Sequence, residues 1–483
     1  MKVPKCMSTQ HPDNVNFPFF SENTEMAGED EIKEAYYVFS HLGCDEQMWD
    51  YEGKEVDNFV VKKLLTKYSS FFMENKIGRD LFITPRVPNP EVEKAEAKIL
   101  LETLESIPRS FDAAKLFYGD RTTPIFEVIL PMATDAGSIE KIYLYYKNFV
   151  HGKQNAKVGD TVIKNWIGEF KPERINVIPL FEDMEHILNA DKIMKEFLKD
   201  KDFEYQRVFF ARSDPALNYG LLSATVINKI GLYRLNKLSN EIGIKIYPIV
   251  GVGSSPFRGN LNPENVENAL KEYAGTHTFT VQSAFKYDYP PDAVRKAVSK
   301  IKNSEDITPE KFDPDKIMGI VDKYKSSYQS AVSDVANVIN RIAKYVPSRR
   351  KRKPHVGLFG YSRGVNGIKL PRAIRFTASM YSIGFPPEIL GIDALSKDDF
   401  AYVKTIYKNF EKDLRDALKF YNPDSPYIPQ SVRIKLKDLI GDFEVDESHR
   451  NITRCILRAL TENREEHIGE LILNAASLRK FLG

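Results

Sequence analysis

Short β-branched runs, each followed by a longer amphipathic stretch, recur along this 483-residue chain. Two of them stop on an acid: 177–183 (VIPLFED) and 208–214 (VFFARSD). Glu182 and Asp214 are 32 residues apart, about the 30 or more residues that one strand–helix–strand step takes. The other runs are 81–86 (LFITPR), 126–131 (FEVILP), 244–250 (IKIYPIV), 278–282 (TFTVQ) and 356–362 (VGLFGYS), with 6–10 supplying an eighth. Apolar residues at i, i+3, i+4 and i+7 mark helices between them, as in 91–107 and 220–242. Such alternation predicts a parallel sheet, and eight repeats predict closure into a TIM-type (β/α)8 barrel with additional helices. In that fold the strand ends face one rim, so Glu182 and Asp214 would lie close enough to share a divalent cation.

The expected layout is a single catalytic unit. A barrel fills 1–384, with a helical insertion at about 294–346 before the last strand, and a helical C-terminal region covers 385–483. Lys and Arg number 69 against 67 Asp and Glu, a net charge of +2, which argues against a dedicated nucleic-acid protein. The exception is the basic run 348–355 (SRRKRKPH), which lacks aromatic interleaving and reads as a solvated loop or an anion patch. The N-terminus has no apolar signal core, and no window reaches the roughly 20 apolar residues of a membrane span. Cys6, Cys44 and Cys455 match no zinc or disulfide spacing. A cytoplasmic protein is expected.

The loops after the runs carry unusual chemistry. His11 lies in STQHPDN, Arg86 closes its run, 254–260 reads SSPFRGN, and Arg363, Arg372 and Arg375 follow the last run. One imidazole, two acids and several arginines on one rim suit a phosphorylated anion held by a divalent metal, because arginine's fork binds carboxylate and phosphate bidentately. Asp183, directly before a helix pattern, fits an N-cap.

STQHPDN, VIPLFED, FFARSDPALNYG, GVGSSPFRGN, TFTVQSAFKYD and YSRG…PRAIRF, in that order, resemble the archaeal-type phosphoenolpyruvate carboxylases. The resemblance implies a metal-dependent reaction in which phosphoenolpyruvate and bicarbonate give oxaloacetate and phosphate through carboxyphosphate and the enolate of pyruvate. It implies Glu182 and Asp214 as ligands of Mg2+ or Mn2+, and His11 as the catalytic base. It further implies Arg258, Arg363 and Arg372 as clamps on phosphate and bicarbonate, Arg86 and Gln282 as substrate contacts, and a homotetramer. Other enolpyruvate-handling barrels, such as carbon–carbon lyases or phosphomutases, would share the two acids but leave His11 and Arg258 unexplained.

The long-form enzymes of the family have a lysine where this chain has Leu217, and a His-Gly-Arg-Gly-Gly loop where it has Val250-Gly251-Val252-Gly253-Ser254. Arg212 with the Ser254 and Ser255 hydroxyls is expected to replace part of that anion site. The ending Leu478-Arg479-Lys480-Phe481-Leu482-Gly483 lacks the asparagine that helps the long forms bind aspartate, so weak or absent aspartate inhibition is expected.

Overall fold

The computed structural model describes residues 2–54, 56–351, 364, 365 and 367–483. Eight parallel strands close into a barrel: β1 (Cys6–Ser8), β2 (Glu46–Asp50), β3 (Phe82–Arg86), β4 (Glu127–Leu130), β5 (Asn176–Phe181), β6 (Tyr205–Ala211), β7 (Lys245–Gly251) and β8 (Thr278–Val281). β1 shuts the ring by pairing with β2 on one side (Met7 opposite Glu46) and with β8 on the other (Cys6 opposite Phe279).

Seven of these strands coincide with the apolar runs, but β2 does not. Its sequence, EQMWD, is buried at all five positions although three are polar. Glu46 faces inward because Arg207 of β6 meets it there, so its burial is paired rather than apolar. The run 356–362 lies outside the described residues. The described ring closes at β8, so the helices of 291–342 follow the eighth strand and do not interrupt the barrel, contrary to the expected insertion.

Side chains alternate across each strand, which fills the barrel in layers. The floor holds Glu46, Thr84, Glu127, Arg207 and Thr278, and above it Met7, Met48, Ile129, Ile178, Leu180, Phe209 and Ile249 form an apolar plug. Outward-facing residues pack against the surrounding helices as the main core. A second core belongs to helices beyond the ring. In the labels used below, α1 is Glu29–Tyr37, α2 Ser213–Ile242, α3 Pro314–Ile342 and α4 Ala373–Ser382. α3 packs along α2. α2 is broken at Gly220 (φ 84°), where a Cβ would come within 2.7 Å of the Tyr324 ring. That break separates the turn carrying Asp214 from the long helix behind it. Cys6 and Cys44, distant in sequence, bring their buried sulfurs to 3.9 Å as free thiols. No described helix is long and apolar enough to cross a membrane.

Candidate active site

The C-terminal ends of the strands surround a cavity of about 100 Å3. His11, Arg86, Glu182, Arg212, Asp214, Arg258, Gln282 and Arg372 all line it, and Met48, Leu180 and Phe209 of the plug form its floor. Arg363 lies outside the described residues. Ser254 opens instead onto a separate cavity of about 680 Å3. Ser255 is buried and its hydroxyl has no hydrogen-bond partner. The two hydroxyls therefore do not join the His11 cavity, and the expected replacement anion site is not assembled there.

Glu182 directly follows β5 and is buried, and Asp214 sits in the first turn of α2. Asp183 caps the next helix as expected: its carboxylate accepts the His186 backbone N–H at 3.0 Å and contacts the His186 ring at 2.5 Å. That leaves the neighbouring Glu182 to face the cavity.

His11 lies beyond the end of the β1 ladder, and its Nδ1 is 2.9 Å from Thr9 Oγ1. Two residues on, Asp13 is fully buried. One of its oxygens accepts the Ala284 N–H at 2.7 Å and the other meets Arg258 at 3.1 Å. Burial pushes the Asp13 carboxyl up, against the pull of Arg258. Arg258 also donates to Ser213 Oγ (3.0 Å), Gln282 Oε1 (2.5 Å) and the Gly483 carbonyl (2.8 Å). Gln282 thus acts first as a support for Arg258. A guanidinium locked this way offers the cavity a fixed charge that needs no reorganisation.

Arg86 forms a fork–fork pair with Asp50 (2.8 and 2.7 Å) and an ion pair with Glu52 at 3.0 Å. Burial works against its charge, but Asp50 and Glu52 outweigh it and hold the guanidinium firmly protonated. Glu52, which lines the cavity, is a site residue that the apolar runs could not reveal, and its charge acts on the buried Glu93. Neither oxygen of Glu93 has a hydrogen-bond partner, and burial, then the charge of Glu52, push its carboxyl up to about 7.

Arg212 has no exposed surface. It donates to Tyr273 Oη, the Phe257 and Leu221 carbonyls and Thr225 Oγ1. Ala211 ends β6, and Arg212 leaves the strand in helical conformation, lining the cavity beside it. Arg212 ties β6, α2 and the 256–258 loop together at the wall of the cavity. In the basic run, Arg349 and Arg350 are also buried, so two of its five cations are unavailable to a nucleic-acid backbone. Arg375 is exposed and donates to Ser348.

A family model described as "Phosphoenolpyruvate carboxylase" matches residues 3–483. The phosphoenolpyruvate carboxylase of Methanothermobacter thermautotrophicus is 56% identical over 484 aligned residues, covering 100% of both chains. That of Methanospirillum hungatei is 54% identical and that of Pyrococcus furiosus 49%, again with 100% of each chain covered.

Proposed function

Because this chain belongs to the phosphoenolpyruvate carboxylase family, we propose that it carboxylates phosphoenolpyruvate with bicarbonate, giving oxaloacetate and phosphate. The observation that carries the reading is the meeting of His11, Glu182, Asp214, Arg258 and Arg372 in one small cavity at the strand ends. Glu182 and Asp214 would hold Mg2+ or Mn2+. Both offer hard carboxylate oxygens, and no group of three metal-binding side chains forms among the described residues. Two acids leave coordination positions for substrate oxygens and water, the mode Mg2+ favours. When bound, the cation would neutralise charge on the phosphate and on the enolate oxygen.

The remaining work falls to the chain's own groups. Arg258 and Arg372, with Arg363 by resemblance, hold the phosphate and bicarbonate in line, so that a bicarbonate oxygen attacks phosphorus and the enolate leaves. With Nδ1 turned to Thr9, His11 takes the carboxyl proton of carboxyphosphate at Nε2, and the intermediate divides into CO2 and phosphate. The enolate carbon then bonds to CO2. Met48, Leu180 and Phe209 keep the floor dry, which protects the enolate from protonation by water. Assembly as a homotetramer and a cytoplasmic location belong to the same proposal.

The test is oxaloacetate formation, coupled to malate dehydrogenase, with and without bicarbonate and with and without a divalent cation. Activity should require both. Turnover that survives removal of either would refute the reading.

A further inference from the structure

The run 348–355 is basic, yet its start points into the protein. Arg349 donates to the Asn14 and Val15 carbonyls at 3.3 and 2.7 Å. The Met26 N–H donates to the Arg349 carbonyl and the Lys351 N–H to the Met26 carbonyl, which lays the run beside the approach to α1. Arg350, 3% exposed, then reaches Glu34 of α1 at 2.5 Å. The same Glu34 oxygen accepts from Lys286 (2.8 Å) and from Tyr287 Oη (2.6 Å). Lys286 spends its other donors on the Thr9 carbonyl (2.8 Å) and Ser8 Oγ (3.0 Å), and Thr9 Oγ1 meets His11 Nδ1 at 2.9 Å. Arg350 is thus linked to the imidazole through Glu34, Lys286 and Thr9, all buried.

The His11 segment needs such support. β1 is three residues long, and its backbone pairing with β8 ends at the Thr9 N–H, bonded to the Val281 carbonyl. From there the His11 carbonyl accepts the Ser283 N–H at 3.3 Å, and side chains hold the residues on either side: Lys286 on Thr9, Lys54 on Gln10 at 2.8 Å, and Asp13 on Ala284. Without Arg350, Glu34 would have one cation where it now has two, and it would draw the Lys286 ammonium toward itself and away from Thr9.

We propose that Arg350 is a positioning residue for His11, setting the height and ring orientation of the imidazole through Glu34, Lys286 and Thr9. It touches no substrate. This inference rests on the carboxylase reading above, in which His11 frees from carboxyphosphate the CO2 that the enolate captures. A displaced imidazole leaves attack on phosphorus intact, but the enolate more often takes a proton from water. Water then hydrolyses the undivided carboxyphosphate, and the products are pyruvate, phosphate and bicarbonate in place of oxaloacetate and phosphate.

The readout is the ratio of pyruvate to oxaloacetate at saturating phosphoenolpyruvate and bicarbonate. Arg350→Met should raise it by about tenfold or more, since an ångström of misplacement costs such factors, with KM for phosphoenolpyruvate little changed. Arg350→Lys, which keeps the charge but not the fork, should fall in between. Lys229→Met removes a partly buried cation paired with Glu272 away from this path; it should lower the melting temperature and leave the ratio at the wild-type value. If Arg350→Met and Arg350→Lys partition like the wild type, the inference is overturned, and if Arg350→Met does not fold, the Arg350→Lys ratio decides. A wild type that makes no bicarbonate-dependent oxaloacetate would instead overturn the carboxylase reading.

Discussion

Two guanidinium groups sit in this barrel, each between two carboxylates, and β2 contributes to both. At the floor, Arg207 is held by Glu46 and Glu127; at the mouth, Arg86 is held by Asp50 and Glu52. Glu46 and Asp50 are four residues apart on one strand and point the same way, so one alternation pattern builds both clusters. Each has more acid than base, and they resolve the excess differently. The floor is sealed, with Arg207 at 0% exposure, and burial pushes the Glu127 carboxyl up toward its neutral form. The mouth opens on a cavity lined by Glu182 and Asp214 together with Arg258 and Arg372, where the cation proposed above would add its charge. The sealed floor answers surplus negative charge with a proton alone, whereas the mouth, on the proposal above, would add a metal.

The largest effect should come from disturbing that open answer. Asp214→Asn is expected to lower the carboxylation rate by about 10^3-fold or more, and a chelator should do the same to the wild type, with the melting temperature little changed. A rate near wild type would mean the mouth is as closed as the floor. Next comes Arg207→Met, which strands two buried carboxylates. Denaturant unfolding should show a loss of about 3–5 kcal/mol, with turnover per folded molecule unchanged. A loss of turnover at undiminished stability would erase the division of labour between the layers.

A smaller effect is expected from Arg86→Lys, which keeps the charge and loses the fork. Steady-state kinetics should give a fall of about 10–30-fold in kcat/KM for phosphoenolpyruvate. The smallest concerns Glu93, whose folded carboxyl titrates at about 7, above the ordinary value of about 4.3. Its contribution to stability is complete below that ordinary value and is lost as pH rises through about 7. Melting curves at pH 5 and pH 8 should therefore diverge less in Glu93→Gln than in the wild type, by about 1–2 °C. An equal divergence would place the titrating proton elsewhere.

The same contrast explains what could be read in the chain. Strands whose inward residues are apolar, such as β5 and β7, appear as runs of Val, Ile and Leu. β2 does not, because Glu46 and Asp50 are tolerated inside only through Arg207 and Arg86, and no local window contains those partners. Glu182, Asp214 and His11 were legible because each sits just past a strand end. Arg212 lines the cavity, but its ties to Thr225 and Tyr273 reach groups that no local window contains. Glu52 and Glu93 carried no signal of their own, although continuing the β2 alternation past Asp50 would have brought Glu52 to the rim. Arg349 and Arg350 looked like surface charge because the groups they meet, Val15 and Glu34, lie more than 300 residues away.

The floor cluster also bears on how the chain reaches this shape. Arg207 and Glu46 are separated by 161 residues and Arg207 and Glu127 by 80, so neither bond can form locally, and such distant pairings come late. Both acids lie in the first half of the ring and the base in the second. While the halves are apart each carries an uncompensated charge that keeps its floor hydrated, and the opposite signs draw the halves together. The cluster is thus a latch that engages only when the ring is complete, and a chain cut between β4 and β5 would yield two fragments that find each other before either dries its own interior.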